Sequence, residues 1–169
     1  MSSAQEARPS TLPTPGIEGP GRVPLIDGLP SGPRERLLGL VARLQLDSGE
    51  TFMREGDETA FLAIVVRGRV ALRLRVPERG AITILTLDPG DIVGWSAIVA
   101  PYRATTTATS LEPTELAIVE ARELRALLAS DEAVAAAFLP KVLETVVSRV
   151  AATRDQLLDL FHATGLDPW

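Results

Sequence analysis

The middle of the chain, residues 45–119, alternates apolar and polar residues in short runs that turn residues separate. In one run, FLAIVVRGRVALRLRV (61–76), alternate apolar residues fall on one face of a predicted strand: Val70, Leu72, Leu74 and Val76. The opposite face carries three arginines, which we interpret as the solvated side: Arg69, Arg73 and Arg75. REGD (54–57) and DPGD (88–91) are turn signals. The pattern predicts an antiparallel barrel, sandwich or jelly roll.

From Ala121 onward the spacing of apolar residues predicts helices. ARELRALLAS (121–130) forms a short helix, and Ser130 is placed to cap the next one. Pro140 either kinks that segment or opens a fresh helix that runs to about Phe161.

The last helix carries two stripes of mostly apolar residues. The first has heptad spacing, as in the seam of a coiled coil: Leu139, Leu143, Val146, Val150, Thr153, Leu157 and Leu160. The second is placed to pack on the β domain: Phe138, Val142, Val147, Leu158 and Phe161. Two stripes predict a helix that joins its own domain to a second copy, and hence a homodimer. The alternative is a helix that lies wholly on its own barrel.

The first 33 residues are rich in proline and glycine, which predicts a disordered tail. VPLIDGLP (23–30) is an apolar island in it, and we interpret it as part of a mobile linker rather than a docked segment. From Ser31 the pattern predicts a short amphipathic helix that ends near Leu44. The predicted divisions are therefore a tail (1–33), a β domain (34–130), a dimerisation helix (131–162) and a C-terminal tail (163–169).

The amino-acid composition of the chain excludes several classes of function. There is no cysteine, which excludes disulfides, thiol nucleophiles and Cys-ligated zinc, and the single histidine, His162, lies outside the β region. The histidine ligands of a cupin-type metal site are therefore missing from the β region. A Ser-His-Asp triad likewise lacks its histidine base there. The net charge of −5 disfavours general nucleic-acid binding, which needs a basic face. We expect no enzyme activity, no metal and no cofactor.

Neither a secretory leader nor an apolar run of about 18 residues is present. We therefore expect a cytoplasmic protein without a membrane partner.

The segment GDIVGWSAIVAPYRATTTA (90–108) has the features of a phosphate-binding loop, or else of a corner between two strands. Ser96 is placed to cap a short helix that Pro101 ends, and the free N–H groups of such a helix bind phosphate. Arg103 supplies a charged contact and Thr105 a hydroxyl. Gly94 permits the backbone conformations that a tight loop needs.

Several segments of the chain resemble those of a known protein family. The order of elements, the segment FMREGDETAFLAIVVRGRVAL (52–72) and the loop at 87–108 resemble the cyclic-nucleotide-binding domain family. More narrowly, they are similar to the sensor half of the catabolite activator family of bacterial regulators. The resemblance covers roughly residues 34–161. It implies an α+β fold: an antiparallel, jelly-roll-like β-roll with an N-terminal helix and C-terminal helices, the last one long.

The resemblance also implies a binding site. In the family cassette, Gly-Glu-Leu-Ala precedes a short helix and then Arg-Ala-Ala, whose arginine binds the cyclic phosphate. Gly94 and Ala97 match the first motif, and the second is matched by Arg103, Ala104 and Thr105.

The family glutamate that binds the ribose 2′-hydroxyl is replaced by Trp95, followed by Ser96. Tryptophan cannot accept a hydrogen bond. Losing a charged acceptor costs about 1.5–3 kcal/mol, or roughly ten- to hundredfold in affinity. An alternative interpretation is that Trp95 fills the ribose subsite as part of the core.

The resemblance predicts a non-enzymatic, stand-alone regulatory sensor. It would bind cAMP, cGMP or another phosphate-bearing ligand and signal to a separate effector protein. Regulators of the family continue into a helix-turn-helix domain, whereas this chain ends at FHATGLDPW, so we expect no direct DNA binding. The alternative is a degenerate domain that binds no small ligand and serves as a protein-interaction scaffold.

Overall fold

The computed structural model describes residues 21–76 and 80–163, with side chains up to residue 155. Helices α1 (Pro24–Asp27) and α2 (Ser31–Leu38) precede the strands. The strands are β1 (Ala42–Leu46), β2 (Thr51–Met53), β3 (Phe61–Arg67), β4 (Val70–Val76), β5 (Gly80–Leu87), β6 (Ile92–Val93), β7 (Thr107–Ser110) and β8 (Thr114–Glu120). A 3₁₀ helix, Trp95–Ala97, follows β6, and helices α3 (Ala121–Ser130) and α4 (Glu132–Ala163) follow β8.

The strands form two four-stranded antiparallel sheets. One has the order β1-β8-β3-β6 and the other β2-β7-β4-β5. Apolar side chains from both sheets meet in a core between them, among them Leu46, Phe61, Leu72, Leu87 and Leu116. The predicted α+β fold with an antiparallel β-roll is confirmed.

Strand β3 is buried on both faces, and its two faces serve two cores. Phe61, Ala63 and Val65 point between the sheets. Leu62 and Ile64 point outward, where helices cover them. Side chains of all four helices contribute to this outer core, among them Ile26, Leu37, Leu124, Val134 and Phe138. The helices thus form a third layer on the β1-β8-β3-β6 sheet.

The prediction of a disordered tail is wrong for residues 23–33. Val23 and Ile26 are fully buried and Leu29 is 7% exposed. Pro24 starts α1, and the Asp27 carboxylate accepts a hydrogen bond from the N–H of Val23 at 3.1 Å. The three apolar side chains recur every three residues, and burying them outweighs the proline and glycine composition. Residues 1–20 of the predicted tail lie outside the described residues.

The helix predicted to end near Leu44 ends at Leu38 instead. Gly39 follows it, and residues 42–46 form β1. Leu44 lies opposite Leu116 in the pairing of β1 with β8, and Arg43 forms an ion pair with Glu115 at 3.1 Å. These cross-strand contacts with β8 therefore override the helical spacing of the segment.

Helix α4 runs as a single helix through Pro140. It is capped by Asp131, whose carboxylate accepts from the N–H of Val134 at 3.0 Å. Ser130, the predicted cap, instead donates its hydroxyl to the carbonyl of Ala126 at 2.9 Å. None of the helices among the described residues combines the length and the apolar character that crossing a bilayer requires.

The stripe of α4 predicted to face the domain does so in part. Phe138 and Val142 are buried, at 1% and 5% exposure, but Val147 is 60% exposed. The side chains of Leu158 and Phe161 lie outside the described residues. Ala163 is the last residue of α4, and the rest of the predicted C-terminal tail, 164–169, is likewise outside them.

Candidate ligand-binding site

Strand β6 leads into a glycine that the fold requires. Gly94 has a φ of +75°, in the left-handed region. A Cβ atom there would lie 2.7 Å from Met53 Cε and 2.8 Å from the carbonyl oxygen of Phe61. Both the φ value and the close approach of Phe61 favour glycine. The match of Gly94 to the family glycine therefore has a local physical basis.

The helix after Gly94 is shorter than predicted, with three residues in 3₁₀ geometry. The prediction that Ser96 caps it is wrong, because Ser96 lies inside the helix. Its buried hydroxyl is 2.8 Å from Oγ1 of Thr59 and forms a hydrogen bond with it. Ala97 is fully buried. Ser96 thus fastens the start of the cassette to the segment before β3.

The loop that follows is held by α3. Tyr102 has a φ of +59°, and the peptide bond Ala100–Pro101 is cis. The guanidinium of Arg125 lies over the Tyr102 ring, 4.5 Å from its centroid. The same guanidinium donates to the carbonyl of Ala97 at 2.7 Å. Arg125 therefore contacts the start of the loop and Tyr102 within it, a role that no local motif in the sequence indicates.

Arg103, the predicted phosphate ligand, is bound to the protein itself. Its Nη1 donates to the carbonyl of Gly56 at 2.8 Å. The neighbouring Ala104 exchanges backbone hydrogen bonds with the same turn, donating to Asp57 at 2.9 Å and accepting from Gly56 at 2.8 Å. Arg103 and Ala104 are thereby fixed to the REGD turn.

A cavity of about 440 Å³ lies between the β2-β7-β4-β5 sheet, the start of the cassette and α4. This volume falls within the range of about 300–1,000 Å³ that small-molecule sites occupy. Four of the seven predicted ligand-binding residues line it: Gly94, Trp95, Ser96 and Thr105. The other three do not: Ala97, Arg103 and Ala104. Trp95 is part of the wall and leaves the cavity open.

Helix α4 forms the far wall of the cavity. Val146, Val150 and Thr153, which the heptad pattern assigned to the dimer seam, line the cavity. The helix also brings Arg149 and Arg154, and the cassette adds Thr106. The sequence analysis missed these three residues, since a heptad pattern does not show which surface a helix face meets.

Arg149 is the charged group with the most unusual surroundings. Its Nη2 is buried and has no hydrogen-bond partner among the described residues. Burial lowers the pKa of Arg149 from its ordinary value, and the negative charge of Asp91 opposes that shift. An arginine stays protonated nonetheless, so the site holds a positive charge. Arg154, by contrast, is ion-paired with Asp155 at 3.0 Å.

Most of the remaining wall is apolar. It consists of side chains from both the sheet and the strand before the cassette: Met53, Leu72, Ile84, Leu85 and Val93. A molecule with an apolar body and an acceptor or anionic group suits this combination of walls.

The comparisons with known proteins agree with this architecture. A sequence model of the cyclic nucleotide-binding domain matches residues 43–131, more than half of the chain. The chain belongs to the cyclic nucleotide-binding domain family. The match covers every strand after the first residue of β1, the cassette and α3.

Solved structures from this family have the same fold. A cyclic nucleotide-binding domain from Methylobacillus flagellatus is similar with a TM-score of 0.72 and 18% identity, over 81% of this chain and 80% of that one. The catabolite activator protein of Thermus thermophilus is similar with a TM-score of 0.63 and 24% identity, over 82% of this chain and 63% of that one.

A candidate potassium channel protein of Rhodopseudomonas palustris is 25% identical over 114 residues, which are 68% of this chain. The chain spans only 27% of the length of that relative.

Proposed function

We propose that this chain is a non-enzymatic regulatory sensor domain that binds a cyclic nucleotide or another phosphate-bearing small molecule. The observation that carries the proposal is the cavity of about 440 Å³ beneath α4, whose wall includes Gly94, Trp95, Ser96 and Thr105 of the family cassette. Membership of the cyclic nucleotide-binding domain family supports it independently. The cytoplasmic location expected from the sequence stays a prediction.

The position of α4 supports a signalling role. Val146 and Arg149 line the cavity, while Phe138 and Val142 of the same helix pack in the outer core. A ligand in the cavity would therefore contact the cassette and α4 at once. Such a ligand favours the arrangement of α4 that it contacts best, and an effector protein that recognises this arrangement receives the signal.

Thermal denaturation with cAMP, cGMP and cyclic dinucleotides tests this proposal. At a ligand concentration about 100 times Kd the stabilisation is about 2.7 kcal/mol, which raises the Tm by about 5–10 °C. Val146→Trp places a large side chain in the cavity and should abolish the shift. Ala136→Trp, at an exposed position of the same helix, is the matched control and should keep it. If none of these nucleotides shifts the Tm, the result contradicts the proposal that the ligand is a cyclic nucleotide.

The alternative, a scaffold that binds no nucleotide, has two observations in its favour. Arg103 donates to Gly56 rather than pointing into the cavity, and Trp95 occupies the place of the family glutamate. It predicts no response to any nucleotide in wild type, and a wild-type Tm shift that Val146→Trp removes rejects it.

We also propose that the chain forms a homodimer through α4. Its exposed side carries large apolar residues, Leu139, Leu143, Val147 and Val150, at exposures of 43%, 62%, 60% and 66%. These lie at helical spacing and form one stripe. Val147 belongs to this stripe, whereas Val146 and Thr153 of the predicted seam line the cavity. The side chains of Leu157 and Leu160, also in the predicted seam, lie outside the described residues.

The dimer is tested by sedimentation velocity on Leu143→Glu with Val147→Glu, which places two charges in the stripe. We expect the mass of a monomer where wild type gives that of a dimer. A monomeric wild type, or an unchanged mass in the variant, contradicts the proposal. Glu144→Lys with Lys141→Glu, which exchanges an exposed ion pair on the same helix, is the control.

A further inference from the structure

Arg149 on α4 lines two cavities. One has a volume of about 440 Å³ and the second a volume of about 380 Å³. Its Nη2 is buried without a hydrogen-bond partner among the described residues. A buried cationic group without a partner destabilises a folded protein unless something compensates for it.

The carboxylates near Arg149 do not supply that partner. Asp91 is the acidic residue whose charge acts on it, but no hydrogen bond joins Asp91 to the Nη2 of Arg149. Glu144 lines only the second cavity, and Lys141 holds it in an ion pair at 3.1 Å.

Other arginines around the cassette each make at least one polar contact within the protein. Arg103 donates to Gly56, Arg125 donates to Ala97 and Arg154 is paired with Asp155. Arg149 is thus a cavity-lining cation whose Nη2 still lacks an acceptor.

We propose that Arg149 on α4, rather than Arg103 in the cassette, binds the anionic group of the ligand. The ligand class is an organic oxyanion on an apolar body, because the opposite walls present Leu72, Ile84 and Val93. The planar guanidinium suits phosphate, sulfonate and carboxylate groups alike. This inference rests on the proposed use of the cavity as a ligand site, but it does not require the ligand to be a nucleotide.

Two fluorescent probes of nearly the same shape test the charge requirement. Anilinonaphthalene sulfonate carries an oxyanion on an aromatic body, and phenylnaphthylamine is its uncharged counterpart. Loss of a charged hydrogen bond should lower the affinity of Arg149→Gln for the sulfonate about ten- to hundredfold. Its affinity for the amine should stay within about twofold, and Arg149→Lys should recover part of the sulfonate binding. Arg103→Gln, the matched control, should bind both probes like wild type.

The unliganded variants provide a second measurement. Because the Nη2 of Arg149 is buried without a hydrogen-bond acceptor, Arg149→Met should raise the Tm of the ligand-free protein by a few degrees. A purely structural arginine would give a lower Tm on the same substitution.

The inference is overturned if Arg149→Gln binds the sulfonate like wild type, if Arg103→Gln loses it equally, if neither probe binds wild type, or if Arg149→Met lowers the Tm. These outcomes separate the inference from the proposed function. Sulfonate binding that depends on Arg149, without any nucleotide response, rejects the nucleotide sensor and keeps the anion site. Nucleotide binding that depends on Arg103 and not on Arg149 rejects the anion site at Arg149 and keeps the nucleotide sensor.

Discussion

Replacing Gly94 with alanine tests whether the cassette depends on a close backbone approach. The residue has a φ of +75°, and for an L-residue the left-handed region costs about 1–2 kcal/mol. The new methyl group would also lie 2.8 Å from the carbonyl oxygen of Phe61 and 2.7 Å from Met53 Cε. The methionine end can move, whereas the carbonyl belongs to β3, so overpacking adds about 1–3 kcal/mol.

Alanine also restricts the unfolded chain, which returns about 0.4–1 kcal/mol. We therefore expect Gly94→Ala to lower the free energy of unfolding by about 1–4.6 kcal/mol, measured by urea denaturation. Gly49→Ala is the matched control, because Gly49 has a φ of +83° but nothing within 4 Å of the added Cβ. It carries the conformational cost alone, a net loss of about 0–1.6 kcal/mol. Equal losses in the two variants would refute the argument from close approach.

Three further predictions concern contacts that hold the domain together. Thr59→Val and Ser96→Ala each leave a buried hydroxyl without its partner at 2.8 Å, so each should lower the free energy of unfolding by about 1–3 kcal/mol. In a double-mutant cycle measured by urea denaturation, the double variant should lose less than the sum of the two single losses. Arg125→Leu removes the contact with Tyr102 and a charged hydrogen bond, so it should lower the free energy of unfolding by about 1–3 kcal/mol. Arg125→Lys should lower it by less. Equal losses in the two variants would argue against a role for the guanidinium. Ile26→Ala should cost about 2–5 kcal/mol in the same assay, because the side chain is fully buried, and a loss below 0.5 kcal/mol would mean that α1 does not belong to the folded core.

The parts of the fold that rest on local patterns could be predicted from the sequence. Alternation along 61–76 indicated the strands β3 and β4, and the turn signals marked strand ends. The segment 23–30 was different, because its composition resembles that of a linker. Burial of Val23 and Ile26 depends on the outer core, whose other members come from distant parts of the chain.

Only those residues of the candidate site that lie close together in the sequence could be predicted. Gly94 and Thr105 lie on one loop, and their place in a family cassette is visible in the sequence. Arg149 lies on α4, far along the chain, and only the packing of α4 on the roll brings it to the cavity. The hydrogen bond of Arg103 to Gly56 likewise joins two separate turns, so no local spacing indicated it.

Helix α4 has one further mechanical consequence. Its first turns are anchored, because Phe138 and Val142 are buried in the outer core. From Val142 to the end of the helix at Ala163, about 20 residues extend roughly 30 Å at a rise of 1.5 Å per residue. Any tilt of the helix would therefore pivot near Val142, and the cavity-lining residues of α4 lie beyond that pivot. A tilt of about 10° there displaces the far end by about 5 Å, so a small adjustment around a ligand becomes a movement as wide as a turn of helix.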